Sequence, residues 1–183
     1  MSSLRTRRLE NEWRLLQHAV KANARMVEIE GRHAGVDDES FFVTLHDTTA
    51  LVKNDDGFET LSIHHVEFRF EEFFPAVPIQ VFLSVPVIHP NVNPYNGFVC
   101  LWDRFSAGDG VLTALAQLQR VITWELFNRS PDHLMQSDAF LLYAGTNSLP
   151  YIPIQVSFDG NVVGDSQYPR IRPHRSRLSV ADG

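Results

Sequence analysis

The sequence contains one cysteine, Cys100, among its 183 residues. A single cysteine cannot form an intrachain disulfide, and alone it cannot supply the ligands that a structural zinc site needs. We therefore expect a protein of a reducing, cytoplasmic compartment. The thiol is then either a small apolar group that fills space or a group that carries chemistry.

Basic charge and long apolar runs are also scarce. The 16 Lys and Arg residues are outnumbered by 22 Asp and Glu residues, and the formal net charge of −6 argues against a nucleic-acid partner. No run of about 18 apolar residues is present, so we expect no membrane partner. The basic start lacks the apolar stretch of a signal peptide. The eight histidines show no metal-ligand spacing, and we expect neither a metal nor a cofactor.

What is present is typical of a soluble globular protein with an aromatic-rich core. Apolar residues make up 44% of the chain, and 13 of its residues are Phe. The length favours one domain, which we place at residues 1–145. Residues 146–183 are predicted to be an extension, with one possible strand in LPYIPIQVSF followed by a basic tail.

The N-terminal segment has helical periodicity over residues 3–24. Its apolar positions recur at intervals of three and four and form one stripe: Leu9, Trp13, Leu16 and Val20. Four charged residues are predicted to face solvent on the same helix: Arg5, Arg7, Arg8 and Glu12.

Four β-like runs follow between residues 26 and 86, namely MVEIE, FFVTLH, HHVEFRFEEFF and IQVFLSV. The third run alternates apolar Val66, Phe68 and Phe70 with polar residues, as a strand with one buried face does. The segment KNDDGFE before it is a turn signal. These runs predict four strands of an antiparallel meander.

Two helices are predicted after Cys100. The first covers residues 110–127, with Asp109 as its N-cap and an inward face made of Leu112, Leu115, Leu118 and Ile122. The second covers residues 131–144, after Ser130 as N-cap. Strands grouped apart from helices indicate the α+β class.

Cys100 lies nine positions after the tripeptide His89-Pro90-Asn91. The Asn- and Pro-rich turns between them can bring donor groups back to the sulfur, which a space-filling thiol does not require. A protease-like pair of His89 and Cys100 is not favoured, because no helix presents the cysteine and no hydrolase pattern accompanies it.

Several motifs in one order resemble the ubiquitin-conjugating enzymes over roughly residues 4–144. These are the helical RRLENEW, the Phe74-Pro75 step with Pro78, the His-Pro-Asn tripeptide, and the cysteine in GFVCL. The resemblance implies a UBC-like α+β fold. It also implies an enzyme whose Cys100 accepts a ubiquitin-like protein as a thioester from an activating enzyme and passes it to an amine of an acceptor protein.

The resemblance implies roles for individual residues. Asn91 would donate to the oxyanion during aminolysis, although its amide can also brace the turn. His89 would shape the loop rather than react. Asp132 would orient and deprotonate the incoming lysine, unless it only favours the helix N-terminus, and His133 aligns with the same position. Arg5, Arg7, Arg8 and Glu12 would contact the activating enzyme.

Departures from the family pattern also bear on function. The interval from His-Pro-Asn to the cysteine is one residue longer than is usual, and RFSAGDG stands where the family has its Trp-Ser-Pro loop. This replacement does not favour a RING-type ligase, and the need for any ligase stays open. The divergence resembles bacterial members encoded beside their own ubiquitin-like protein. The alternative function is a non-catalytic UBC-like or RWD-type binding module, but such modules typically lack both the cysteine and the intact tripeptide.

Overall fold

The computed structural model describes residues 4–35, 38–102, 104–127, 134–139, 157–158 and 161–162. Two helices are present in these residues, α1 (Leu4–Ala22) and α2 (Val111–Ile122). The strands are β1 (Val27–Ala34), β2 (Glu39–Leu45), β3 (Ala50–Asn54), β4 (Gly57–Leu61), β5 (His64–Phe70), β6 (Gln80–Leu83), β7 (Phe98–Val99), β8 (Ser157–Phe158) and β9 (Asn161–Val162).

The main sheet has five strands in the order β1-β2-β5-β6-β7, and every neighbouring pair is antiparallel. The four predicted strands correspond to β1, β2, β5 and β6, so the α+β prediction and the meander are confirmed. The short edge strand β7 and the separate β3–β4 hairpin were not predicted. The predicted turn signal lies at the tip of that hairpin, where Gly57 has a φ of 136°.

The apolar stripe of α1 packs on the sheet as its periodicity predicted. Leu9 and Leu16 are buried, while Trp13 and Val20 pack against the edge of the same core. Below the helix the ring centroids of Trp13 and Phe41 are 4.8 Å apart. Aromatic side chains therefore form a substantial part of this core, as the composition suggested.

The strand β5 shows the predicted alternation. Val66, Phe68 and Phe70 are buried, whereas His65 is exposed on the opposite face. The register pairs Phe68 with Phe41 of β2 and with Val81 of β6, so the inward residues of three strands lie side by side. This shared buried face sets the register, because a slip of one residue would turn the whole apolar set toward solvent.

The helix α2 buries all four predicted inward residues, Leu112, Leu115, Leu118 and Ile122. It is shorter than predicted, since it ends at Ile122 and Trp124 then adopts a φ of 62°. The predicted N-cap is wrong. Gly110 holds the cap position, and Asp109 instead accepts a hydrogen bond from the backbone N–H of Ser106 at 2.8 Å.

The helix predicted over residues 131–144 is wrong at residues 134–138, which are irregular with a bend and a turn. In the described part of that prediction only Ala139 is helical. The other residues of that prediction lie outside the described residues. Most of the predicted extension, residues 146–183, lies outside them too, although β8 and β9 pair with each other in a two-stranded sheet of their own. No helix among the described residues is both long and apolar enough to cross a membrane.

Candidate functional site

Cys100 directly follows β7, at the edge of the main sheet, and its side chain is half-buried. The turn before it is built by asparagines: the Asn93 side chain accepts from the Tyr95 N–H at 2.9 Å, and that of Asn96 accepts from the Phe98 N–H at 3.0 Å. Gly97 has a φ of 71°, and a Cβ atom there would overlap the Leu83 carbonyl of β6. These turns return the chain so that the thiol segment lies beside the preceding loop.

The tripeptide and the cysteine are joined by a reciprocal pair of hydrogen bonds. The Cys100 N–H donates to the Asn91 carbonyl at 2.8 Å, and Asn91 Nδ2 donates to the Cys100 carbonyl at 2.8 Å. The adjacent residues Val92 and Val99 form an antiparallel bridge. The structure thus brings together Asn91 and Cys100, which the sequence predicted to act together. It also shows the amide of Asn91 bracing the loop.

His89 is buried and organises the loop from inside. Its Nδ1 accepts from the Asn91 N–H at 3.1 Å. Its ring stands edge-on to that of Trp124, and the two ring centroids are 4.6 Å apart. Burial lowers the pKa of His89 to about 3, and the nearby backbone of Leu126 opposes this shift only in part. The ring is therefore neutral at pH 7, with its proton on Nε2 and its basic nitrogen occupied. This geometry suits a loop-shaping residue better than a general base.

The described part of the chain after the second helix also contacts this loop. The Met135 N–H donates to the Pro90 carbonyl at 2.8 Å. The side-chain amide of Gln136 donates to the carbonyls of Val87 and Val92, both at 2.9 Å. Sequence reasoning missed Gln136, and no motif marks it. Asp132 and His133, the predicted acidic gate, lie outside the described residues, so their roles stay predictions.

The predicted recruiting face on α1 needs a correction at Glu12. The side chain is 1% exposed, not solvent-facing. Its Oε1 pairs with Arg8 Nε at 2.6 Å, and its Oε2 accepts from the Val111 N–H at 2.7 Å. Glu12 therefore caps α2, where a carboxylate is favoured by the exposed N–H groups and the helix dipole. Gly110 permits this approach, since a Cβ atom there would overlap the carboxylate.

The arginines of α1 also differ from one another. Arg5 is half-buried and donates to the carbonyls of Phe70 at 3.1 Å and Glu71 at 3.3 Å. Arg8 is half-buried against Glu12 and the Phe74 ring, whose centroid is 5.6 Å from its guanidinium carbon. Of the predicted set, Arg7 is the exposed residue. The helix therefore offers a docking partner one exposed cation from this group, while Arg5 and Arg8 fasten α1 to the sheet and to α2.

The described residues contain no cluster of three or more His, Cys, Asp or Glu side chains that could hold a metal ion.

Comparison with known proteins identifies the fold. No protein-family model and no curated protein sequence matches the chain. Among solved structures, a candidate ubiquitin conjugating enzyme from Plasmodium yoelii matches with a TM-score of 0.53 and 15% identity, over 80% of this chain and 87% of that one. One from Trypanosoma cruzi matches with a TM-score of 0.53 and 16% identity, over 80% of this chain and 92% of that one. The chain therefore has the ubiquitin-conjugating-enzyme fold, as the sequence motifs predicted.

Proposed function

We propose that this protein is a conjugating enzyme in which Cys100 accepts a ubiquitin-like protein from an activating enzyme and transfers it to an amine. One observation carries the proposal: the half-buried thiol residue is hydrogen-bonded in both directions to Asn91 of the His-Pro-Asn loop. The fold and the motif order support it.

Loading is an exchange between two thioesters. The Cys100 thiolate attacks the carbonyl carbon that joins the C-terminal glycine of the ubiquitin-like protein to the activating enzyme's cysteine. A new C–S bond forms, the old one breaks, and the activating enzyme's sulfur leaves as a thiolate. Because the bonds made and broken are alike, a thiol with a pKa near the ordinary value of about 8.5 supplies enough thiolate at neutral pH.

Transfer is an aminolysis, and it requires more catalytic groups at the site than loading does. The amine nitrogen attacks the same carbonyl carbon, a C–N bond forms, and the Cys100 sulfur leaves as a thiolate. Negative charge develops on the carbonyl oxygen, and we propose that the Asn91 amide stabilises it. A lysine, with an ordinary pKa of about 10.4, must also lose a proton, which we assign to Asp132 or, in the alternative alignment, to His133.

Recruitment is proposed to use the exposed start of α1. Arg7 presents its charge to solvent there, and the activating enzyme is expected to offer an acidic surface. The acceptor and any ligase are left to experiment. The site requires no cofactor in this scheme, since the thioester itself carries the free energy for transfer.

A charging assay tests the proposal. The parent protein, incubated with the cognate activating enzyme, ATP and ubiquitin-like protein, should give an adduct that a reducing agent cleaves. Cys100→Ser should give a reductant-resistant ester or no adduct, because the sequence has no other cysteine. Failure of the folded parent to form any adduct would favour the non-catalytic binding module instead.

A further inference from the structure

The side-chain amide of Gln136 contacts the His-Pro-Asn loop and joins the two ends of that loop. Its single nitrogen donates to the carbonyls of Val87 and Val92, two groups five positions apart in the chain, both at 2.9 Å. Since both partners are acceptors, only the nitrogen of the amide can face them, and both of its hydrogens are used. The residues between these carbonyls, 88–91, include the whole tripeptide.

Other contacts show which parts of the loop are held independently. The Ile88 N–H donates to the Leu51 carbonyl at 2.7 Å, and Val87 forms a bridge with Val52, so the entry is fastened to β3. The exit is fastened through Asn91 to Cys100. Gln136 ties the entry of the loop to its exit, and Met135 holds Pro90 between them.

We infer that Gln136 is a positioning residue, which sets the distance between the His-Pro-Asn loop and Cys100 and thereby the rate of transfer from the thioester. The inference rests on the proposed function. Gln136 acts through Asn91, since it bonds the carbonyl of the next residue, Val92. Loading needs only an accessible thiolate, so Gln136 should matter for transfer and not for loading.

Two replacements of similar size separate the hydrogen bonds from packing. Gln136→Met removes both donors. Gln136→Glu keeps the shape but places an acceptor against two carbonyls when ionised, and it regains one O–H donor when protonated. Ser137→Ala is the control, because Ser137 is exposed and bonds only weakly, to Asp138 at 3.3 Å.

The first measurement does not depend on activity. Amide hydrogen exchange of Val92 and Cys100 in the full chain should become faster by about tenfold in Gln136→Met, as expected when two hydrogen bonds of ordinary strength are lost. Ser137→Ala should exchange like the parent. Unchanged exchange in both Gln136 variants would overturn the inference, whether or not the protein proves to be an enzyme.

The second measurement uses single-turnover discharge of the charged protein to free lysine. Gln136→Met should charge normally and discharge about tenfold more slowly. In an Asn91→Ala background the same change should have no further effect, because the residue through which it acts is gone. An equal loss in both backgrounds would show a merely structural contribution and overturn the inference.

The Glu variant adds a pH signature and covers the case in which the Met variant fails to fold. Its discharge rate relative to the parent should rise as pH falls through the carboxyl pKa, since protonation restores a donor. A constant ratio across this range would contradict the assignment. If the parent forms no adduct at all, the proposed function fails, and the exchange measurement still decides whether Gln136 positions the loop.

Discussion

Asn91 braces the loop and is also the residue proposed to stabilise the oxyanion. Its amide donates to the Cys100 carbonyl, while its backbone carbonyl accepts from the Cys100 N–H. Sequence reasoning left open whether this side chain stabilises an oxyanion or supports the turn. The structure shows the supporting contact, and the catalytic role stays a prediction that kinetics can separate.

We predict that Asn91→Ala charges nearly normally but discharges to free lysine about 10²-fold more slowly, as when one oxyanion donor is lost. Single-turnover discharge measures this. Asn91→Asp, of the same shape but without the donor, should show a similar defect. Parent-like discharge by a folded Asn91→Ala variant would assign the residue to the turn and place the oxyanion donor elsewhere.

His89 should make the stability of the protein depend on pH. Burial lowers its pKa to about 3, below the ordinary value of 6.5. Between these values the unfolded chain binds a proton that the folded chain does not, so stability falls as the pH is lowered, by up to about 1.4 kcal/mol per pH unit from this group.

The comparison that isolates this effect is with His89→Asn, whose side-chain oxygen can also accept from the Asn91 N–H. Urea unfolding from pH 7 to pH 4 should show a shallower loss of stability for the variant than for the parent. Parallel curves would mean that the pKa of His89 is the same in the folded and the unfolded protein.

At the scale of elements, Glu12 links the two helices. It lies on α1, yet it caps α2 through the Val111 N–H and pairs with Arg8. We predict that Glu12→Ala lowers the free energy of unfolding by about 2 kcal/mol, because a helix cap and a buried charge-assisted bond are lost together.

Glu12→Gln should cost less, since its carbonyl oxygen can still accept from Val111. Urea denaturation of the parent and both variants gives the ranking. Equal stabilities of the parent and Glu12→Ala would show that the cap contributes nothing.

The start of α1 allows recruitment to be tested apart from folding. Arg7→Glu should slow charging without changing discharge of a preformed thioester, and salt should weaken the difference, since exposed charges are screened over ~8 Å at physiological ionic strength. Arg14→Glu is the matched control, an exposed charge reversal on the same helix. Normal charging of Arg7→Glu at low salt would exclude this face.

Arg8 should behave differently from Arg7. Because its guanidinium pairs with the buried carboxylate of Glu12, reversing its charge should destabilise the fold as well as change any docking. In a variant that changes both Arg7 and Arg8, an effect on recruitment could not be separated from an effect on stability. Single variants are therefore preferable.

At the scale of the whole molecule, the buried apolar residues of the described part of the chain run from Leu9 to Ala139. The strands β8 and β9 form their own two-stranded sheet. We predict that a chain ending at residue 145 unfolds cooperatively and charges like the full chain. Thermal unfolding and the charging assay check this, and an insoluble or uncharged truncation would place residues 146–183 within the domain.

Local sequence patterns were sufficient to predict the helices and strands that bury one face. The spacing of Leu9 and Leu16, and the alternation of Val66, Phe68 and Phe70, arise from helix and strand geometry, which any chain segment carries by itself. The order of the motifs around Asn91 and Cys100 likewise predicted that the two residues belong to one site. Periodicity and alternation therefore determined the fold class and the core faces, and the resemblance carried by the motif order indicated the candidate nucleophile.

Tertiary structure alone decided which polar residues meet across the chain. Glu12 lies on the face of α1 that buries Leu9 and Leu16, and only the packing of the two helices places the N-terminus of α2 against its carboxylate. Gln136 has no periodic or motif signal, and its importance comes from two carbonyls that the loop brings within 2.9 Å of one nitrogen. A two-residue strand such as β7 is too short to show alternation, and it exists because β6 offers a partner. Contacts between distant segments depend on packing geometry, which local spacing does not encode.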